Sequence, residues 1–490
     1  MKAFKVQFLL ILAMSVNLFT SCSEDDFLLD TNNISTTSLA PTTDDTLEEI
    51  NNTLVNGNPP DMRNIDNRLA LSWTTLLLEL ERYAAGMRPN ASARALAYIH
   101  LATYETIAPG MPDYMSNANR LRGLDIRNGN NNGNRPSLLD WQIALNATYA
   151  DVLEHFLLNV PAERKTQIAA LEAQIERQLT RNAPRGVVED SKEWGAYVAE
   201  QVIRYSRSDQ AAEQQVPEPQ PTSYEPPTGE GYWTYSADPE RALFPYWGSV
   251  RTFVISPDET TTVDPLAYNE NSNSPYFEQM MEVYNVNNAA KTGDEEQLWI
   301  AEFWSDDVEG VMMSPPARQL SIAQQLVEQN ELNLAETMAL FVKLGFALND
   351  AAVSTWKYKY EHMVMRPNVF IHEFIDPDFQ TNLYRLVYWP NPSFPGYPSG
   401  HSCFASAAAG VFIDAFGDAI DFTDRTHEGR TEFLGEPRRF GSFTEMAEEN
   451  GYSRIPLGVH VRMDCTEGLR LGYEISDAVN DLRLQRRENL

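Results

Sequence analysis

The chain is 490 residues long, 43% apolar and 11% aromatic, enough for a large buried interior and too apolar for wholesale disorder. Aspartate and glutamate outnumber lysine and arginine 69 to 38, a formal charge of −31. That balance works against nucleic acid and anionic membrane surfaces as partners, so any anion site has to be assembled locally from a few focused cations. With three cysteines in all, a disulfide scaffold is excluded.

In chain order, "MKAFKVQFLLILAMSVNLFTSC" places Lys2 and Lys5 before an apolar run that leads through small residues to Cys22. That is the layout of an export signal over residues 1–22. "LFTSC" is a loose lipoprotein signal-peptidase site, which would make Cys22 the lipidated residue and the protein a tethered surface or outer-membrane lipoprotein. The other reading is a plain cleaved signal with an incidental cysteine, giving a periplasmic or secreted protein. In both, the chain leaves the cytoplasm and meets a membrane only through a lipid anchor. Residues 23–65 are rich in Asn, Thr, Ser and Asp and read as a flexible stalk.

From residue 66 the periodicity becomes helical, in "RLALSWTTLLLELERYAAG", "SARALAYIHLATYETI", "LLDWQIALNATYADVLEHFLLNV", "AERKTQIAALEAQIERQLTR" and "SKEWGAYVAEQVIRYSRS". A proline-rich stretch over 209–272 is too long for an ordinary connector and is expected to drape over the surface or line a site. Helical periodicity returns after 273 and runs to the end, broken by loops at 391–399 and 421–441. The fold class is mainly α, built from helical bundles: an N-terminal helical region over 66–272 and a catalytic domain over 273–490.

Three basic clusters carry the chemistry. In "WKYKYEHMVMRP", Lys359 and Arg366 lie seven apart, about two helical turns, which would set both cations on one helical face with Trp356. The chain contains its own control, because "MRPN" recurs at 87–90 with Glu81 in place of the lysine. In "PSFPGYPSGHSCFASAAAG", the Pro and Gly residues force a loop, and Ser399, Gly400 and His401 then open a helix of small residues. Backbone N–H groups and the helix dipole favour an anion there. In "SRIPLGVHVRMD", His460 and Asp464 are four apart, so on a helix the carboxylate would hold one ring nitrogen of His460 and leave the other as ligand or nucleophile. Three cations, a helix N-terminus and two histidines suit a tetrahedral oxyanion.

These strings, K-x6-RP, PSGH and SR-x5-H-x3-D, resemble in order and spacing the signature shared by type 2 phosphatidic acid phosphatases, bacterial acid phosphatases and vanadium-dependent haloperoxidases. Trp356, Phe394 before "PGYPSGH", "AEFWSDD" and the wording "RIPLGVH" make the chain most similar to the vanadium haloperoxidases. The resemblance implies an active site inside a C-terminal four-helix-bundle core and vanadate as cofactor. His460 would ligate vanadium with Asp464 orienting its ring, and Lys359, Arg366, Ser399, Gly400 and Arg454 would hold the oxyanion. His401 would be the acid–base group, Trp356 and Phe394 the halide wall, and Asp307 the partner of Arg454. It also implies halide oxidation by hydrogen peroxide, giving hypohalous acid or a halogenated organic acceptor; iodide or bromide is the expected halide.

The same residues would serve a secreted acid phosphatase, with His460 as nucleophile and His401 protonating the leaving group. A binding lipoprotein with a degenerate site would have lost a member of the set, and none is lost. Cys403 and Cys465 are expected to be buried free thiols. His362 and His427 fall outside the pattern, the latter in a loop expected to cover the entrance, and Arg438 and Arg439 are expected to be solvated.

Overall fold

The computed structural model describes residues 62, 65–126, 138–236, 240–306, 308–383 and 391–486. The expected signal, Cys22, nearly all of the stalk, and Asp307 lie outside the described residues. Helices dominate, and the described strands form one antiparallel pair.

The first half contributes α1 (Arg68–Glu81), α2 (Asn90–Ile107), α3 (Trp141–Phe156), α4 (Ala162–Leu179), α5 (Arg185–Arg207) and the short α6 (Gln210–Gln215). Then follow α7 (Pro275–Thr292), α8 (Glu295–Phe303), α9 (Pro315–Gln329), α10 (Leu334–His362), α11 (Pro367–Phe374) and α12 (Gly400–Phe416). The strands β1 (Ala419–Asp424) and β2 (Arg438–Ser442) precede α13 (Phe443–Tyr452), α14 (Arg454–Leu457) and α15 (Arg462–Asp481). The segment expected to be a loop at 421–441 is therefore partly a hairpin, with Phe422 opposite Phe440 and Asp424 opposite Arg438. Both phenylalanines are buried, so the pair forms because its apolar face packs on the helices.

One apolar core runs through both halves of the chain. Its axis is α10, a 29-residue helix opened by a capping box in which Asn333 and Glu336 exchange bonds with each other's backbone N–H. By length and composition α10 could cross a membrane, yet most of it is buried among the other helices. It packs against α2 of the first half and against α12 and α15 of the second. The proline-rich segment between α6 and α7 is a strap across these helices. Asp350 of α10 clamps it, accepting from the backbone N–H groups of Phe253 (2.8 Å), Val254 (2.8 Å) and Ile255 (3.1 Å). Further along, the Leu243 carbonyl accepts from the Trp356 indole N–H (3.2 Å) and the Tyr360 hydroxyl (2.7 Å), while Leu243 N–H donates to the Ser393 carbonyl (2.8 Å).

Candidate active site

The first basic cluster does not lie on one helical face. α10 stops at His362, where Met363 adopts a left-handed backbone (φ 51°), and Arg366 caps the next helix, α11. The proline at 367 accounts for a break, since it disfavours helical geometry at the residue before it. The two cations still converge, because the loop after Phe394 lies between them. The Lys359 ammonium donates to the carbonyls of Pro395 (3.0 Å), Gly396 (2.9 Å) and Pro398 (2.6 Å). Three carbonyls for three hydrogens mean that Lys359 holds this loop and acts on an anion mainly through its charge. Arg366 donates through Nε to the Phe394 carbonyl (2.8 Å) and through Nη1 to the Val459 carbonyl (2.9 Å) and His460 Nε2 (3.0 Å).

The second cluster folds as its residues imply. Ser399 is the N-cap of α12 and its Oγ accepts from Ser402 N–H (3.3 Å), leaving the hydroxyl hydrogen to donate elsewhere. His401, in the first turn, bonds through Nε2 to the Ser305 carbonyl at 3.0 Å. A carbonyl only accepts, so Nε2 carries a hydrogen in either charge state, and Nδ1 is the nitrogen that gains and loses a proton.

The third cluster meets, but not on a helix face. After the one-turn α14, Gly458 turns the chain with φ 91°, and His460 lies ahead of α15, whose N-cap Val461 is in extended backbone. Its Nδ1 reaches Asp464 Oδ2 (3.0 Å) because Asp464 is in the first turn of α15, where it also accepts from Val461 N–H (3.3 Å). The Asp464 carbonyl accepts from Ser399 N–H (2.9 Å), joining the second and third clusters. A guanidinium only donates, so the Arg366 contact makes Nε2 the unprotonated nitrogen of His460 and places the hydrogen on Nδ1, donated to Asp464.

Electrostatics agree with that tautomer. Lys359 and Arg366 are fully enclosed (0% exposed) and Arg454 nearly so (1%). Burial, then Arg366, Lys359 and Arg454, hold the His460 pKa well below the imidazole range. Burial followed by the neighbouring Arg366 also holds the Lys359 ammonium well below its usual value. Burial pushes the Asp464 carboxyl up, with Lys359 and Arg366 opposing. A cluster of mutually repelling buried cations is the charge arrangement that an incoming oxyanion relieves.

Arg454 donates to the carbonyls of Trp304 (2.8 Å) and Ser305 (3.3 Å), so the backbone of the "AEFWSDD" segment carries this arginine. His460, His401 and Arg454 all line one cavity of about 440 Å³, whose walls include Trp356 and Phe394. Those two rings lie 4.8 Å apart, and the Arg366 guanidinium carbon sits 4.8 Å from the Phe394 ring centre.

The control motif comes to the same cavity. Arg88 lines it, but Glu81 stands 3.7 Å from the guanidinium and neutralises it. Among the residues set aside, His362 bonds Thr262 Oγ1 (3.0 Å) and packs on Tyr397, which is a packing role. His427 is buried against Arg318. Arg438 is not solvated: it is 8% exposed and bridges Glu449 (2.6 Å) and Glu296 (2.8 Å), whereas Arg439 pairs with Asp421 at the surface. Cys403 and Cys465 are buried free thiols. Missed from the sequence were the Leu243 strap contact and the carbonyls of Trp304 and Ser305, because backbone groups carry no residue-type signal.

The family description "VCPO second helical-bundle domain" matches residues 339–488. The chain is 26% identical over 213 residues to the vanadium chloroperoxidase of Curvularia inaequalis, covering 33% of this chain and 35% of that protein. It thus spans about a third of the length of that curated relative. The crystal structure of the first bacterial vanadium-dependent iodoperoxidase superposes with a TM-score of 0.75 at 25% identity, over 87% of this chain and 99% of that one. A bacterial vanadium-dependent chloroperoxidase in its holo form shares the fold, with a TM-score of 0.61 at 14% identity over 87% and 94% of the two chains. The matched bundle holds the three basic clusters, and this relative and these folds are vanadium-dependent haloperoxidases, the family that the chain resembles in sequence and in fold.

Proposed function

We propose that this protein is a vanadate-dependent peroxidase that oxidises iodide or bromide with hydrogen peroxide: halide, peroxide and one proton give hypohalous acid and water. The observation that carries the reading is the convergence of Arg454, His401 and the Asp464-held His460 at one cavity, with Arg366 against His460 and both Lys359 and Arg366 behind the Phe394 wall. The similarity to a bacterial iodoperoxidase supports the halide choice.

The donor set fits vanadate. Arg366, Arg454, the Ser399 hydroxyl and the Gly400 N–H would hold its oxygens, Lys359 would add charge, and the lone pair on His460 Nε2 would ligate the metal. Bound vanadate supplies a Lewis acid that polarises peroxide without changing its own oxidation state. Asp464 keeps the His460 hydrogen on Nδ1 and so keeps Nε2 unprotonated, a lone pair that accepts from Arg366 Nη1 here and would pass to the metal as Arg366 turned to the vanadate oxygens. His401 exchanges the peroxide proton at Nδ1 while its Nε2 stays bonded to Ser305. Trp356 and Phe394 offer the halide a dry wall with cations behind it, which lowers the cost of stripping its water.

The test is a paired assay. Protein incubated with orthovanadate is given peroxide with iodide, bromide or chloride, and vanadate-free protein is given a chromogenic phosphate ester. Vanadate-dependent oxidation of iodide or bromide, abolished in His460→Ala and His401→Ala, is the expected result. Ester hydrolysis that vanadate inhibits, without halide oxidation, would make the protein an acid phosphatase.

A further inference from the structure

A buried ionic cluster that no part of the three motifs contains reaches the cavity wall through Asp306. Arg318 of α9 is 0% exposed, with its guanidinium carbon 4.4 Å from the Phe303 ring centre and 4.7 Å from that of Trp304. Its Nη2 and Nε donate to Asp424 Oδ2 of β1 (2.8 and 3.2 Å), and Nη1 donates to His427 Nε2 and stands 3.5 Å from Asp306 Oδ1. His427 therefore accepts at Nε2, in keeping with burial and Arg318 holding its pKa well below the imidazole range. Thr426 secures the other oxygen of Asp424 through its N–H (2.9 Å) and hydroxyl (2.7 Å).

The cluster ends on a strained residue. Asp306 has φ 50°, a left-handed backbone that a non-glycine residue adopts at a cost and keeps only where its surroundings over-determine it. The two residues before it are Trp304 and Ser305, whose carbonyls accept from Arg454, the Ser305 carbonyl from His401 as well. A carbonyl is aimed by the backbone around it, so whatever fixes the turn at Asp306 fixes the aim of both side chains.

We propose that Arg318, braced by Asp424 and His427, is a positioning residue of the oxyanion site: it holds the left-handed turn at Asp306 and thereby sets the Trp304 and Ser305 carbonyls that orient Arg454 and His401. The inference rests on the functional reading above, because it takes Arg454 as an oxyanion ligand and His401 as the acid–base group. It explains why a fully buried arginine is stacked beside Trp304 and tied to a hairpin more than a hundred residues away. A core that needed only apolar filling would be served by a residue without the cost of a buried charge.

The experiment measures binding of inorganic phosphate and of orthovanadate to the full chain by calorimetry, beside thermal melting. Arg318→Met keeps volume and removes the grip, and affinity for both anions is expected to fall about 10- to 100-fold, the range found when groups supporting a ligand are removed. In Arg318→Met/Asp306→Gly the turn no longer needs holding, since glycine takes φ 50° freely, and most of the affinity is expected to return. His427→Ala, which weakens the brace and keeps Arg318, gives a smaller loss in the same direction and serves if Arg318→Met fails to fold. Affinity unchanged in Arg318→Met despite a lower melting temperature would show a merely structural arginine and overturn the proposal. So would a double variant with no recovery. A parent protein that binds neither anion would instead overturn the oxyanion reading itself.

Discussion

Gly468 of α15 lies so close to Ser399 that a Cβ on it would stand 2.4 Å from the Ser399 carbonyl oxygen and 2.8 Å from Ser402 Cβ. One turn on, a Cβ at Gly472 would meet the Cys403 carbonyl at 2.3 Å. The two glycines let α15 and α12 touch backbone to backbone, and that contact brings Asp464, at the start of one helix, to Ser399, at the start of the other. Gly468→Ala is expected to push the helices apart, lowering stability by about 1–3 kcal/mol as overpacking does. Anion binding should suffer far more than the melting temperature suggests, because the spread falls where Asp464 and Ser399 meet. Denaturant unfolding and vanadate titration on the same preparation check this, and unchanged vanadate affinity would break the argument.

Asp464 does two things at once: its side chain takes the Nδ1 hydrogen of His460 and its carbonyl takes the Ser399 N–H. Asp464→Asn leaves the carbonyl in place and offers an uncharged oxygen to Nδ1. The fold should survive, while on the proposed function halide oxidation falls about 10- to 100-fold, the usual consequence of weakening the partner of a histidine that ligates a metal. Steady-state kinetics with saturating vanadate give the measurement. A loss confined to melting temperature would contradict the role given to the carboxylate.

The three basic clusters were legible because each is local: the N-cap at Ser399, the break at Pro367 and the offset from His460 to Asp464 lie within a few residues of sequence. Their geometry was less legible. Helical spacing placed Lys359 with Arg366, and His460 with Asp464, on shared helix faces, yet each pair meets across a break, at Met363 and at Gly458–Val461 respectively. Convergence there comes from carbonyls at Phe394, Pro395, Gly396, Pro398 and Val459 that turn to face the cations. Contacts over long separations were invisible for a different reason. Arg318 finds Asp424 and His427 across more than a hundred residues, and Arg438 finds Glu296 and Glu449, pairings set by the packed fold and not by any period in the chain.

The Leu243 carbonyl joins the strap to the cavity wall formed by Trp356 and Phe394, accepting from both Trp356 and Tyr360. Tyr360→Phe deletes one hydroxyl outside the cavity lining and keeps the ring, at about 0.5–1.5 kcal/mol in stability. With Leu243 held by fewer bonds, the Trp356 ring gains freedom against Phe394. The ratio of kcat/KM for iodide over bromide is expected to shift a few-fold, the more strongly hydrated bromide losing more because a looser wall removes less of its water. Parallel iodide and bromide kinetics decide the matter. An equal fall for both halides would leave Tyr360 a packing residue.

His100 of α2 tests the fold at a distance from the chemistry. Its ring is 1% exposed and packs 5.1 Å from Phe341, and among the described residues neither nitrogen has a hydrogen-bond partner. Burial lowers its pKa from 6.5 to about 3. A base whose folded pKa lies below its unfolded value binds more protons when unfolded, so stability is whole above the unfolded value and is lost as pH falls from 6.5 toward 3. Near pH 5 the linkage amounts to about 2 kcal/mol. His100→Phe should therefore be more acid-resistant than the parent, with the difference growing between neutral pH and pH 5, and halide oxidation at neutral pH should be unaltered. Buried carboxyls such as Asp350 and Glu105, each raised to about 6 by burial, titrate in the same window with the opposite sign. The comparison must therefore be variant against parent at each pH, in urea unfolding followed by circular dichroism. Equal acid sensitivity of the two proteins would show that His100 is not held neutral in the core.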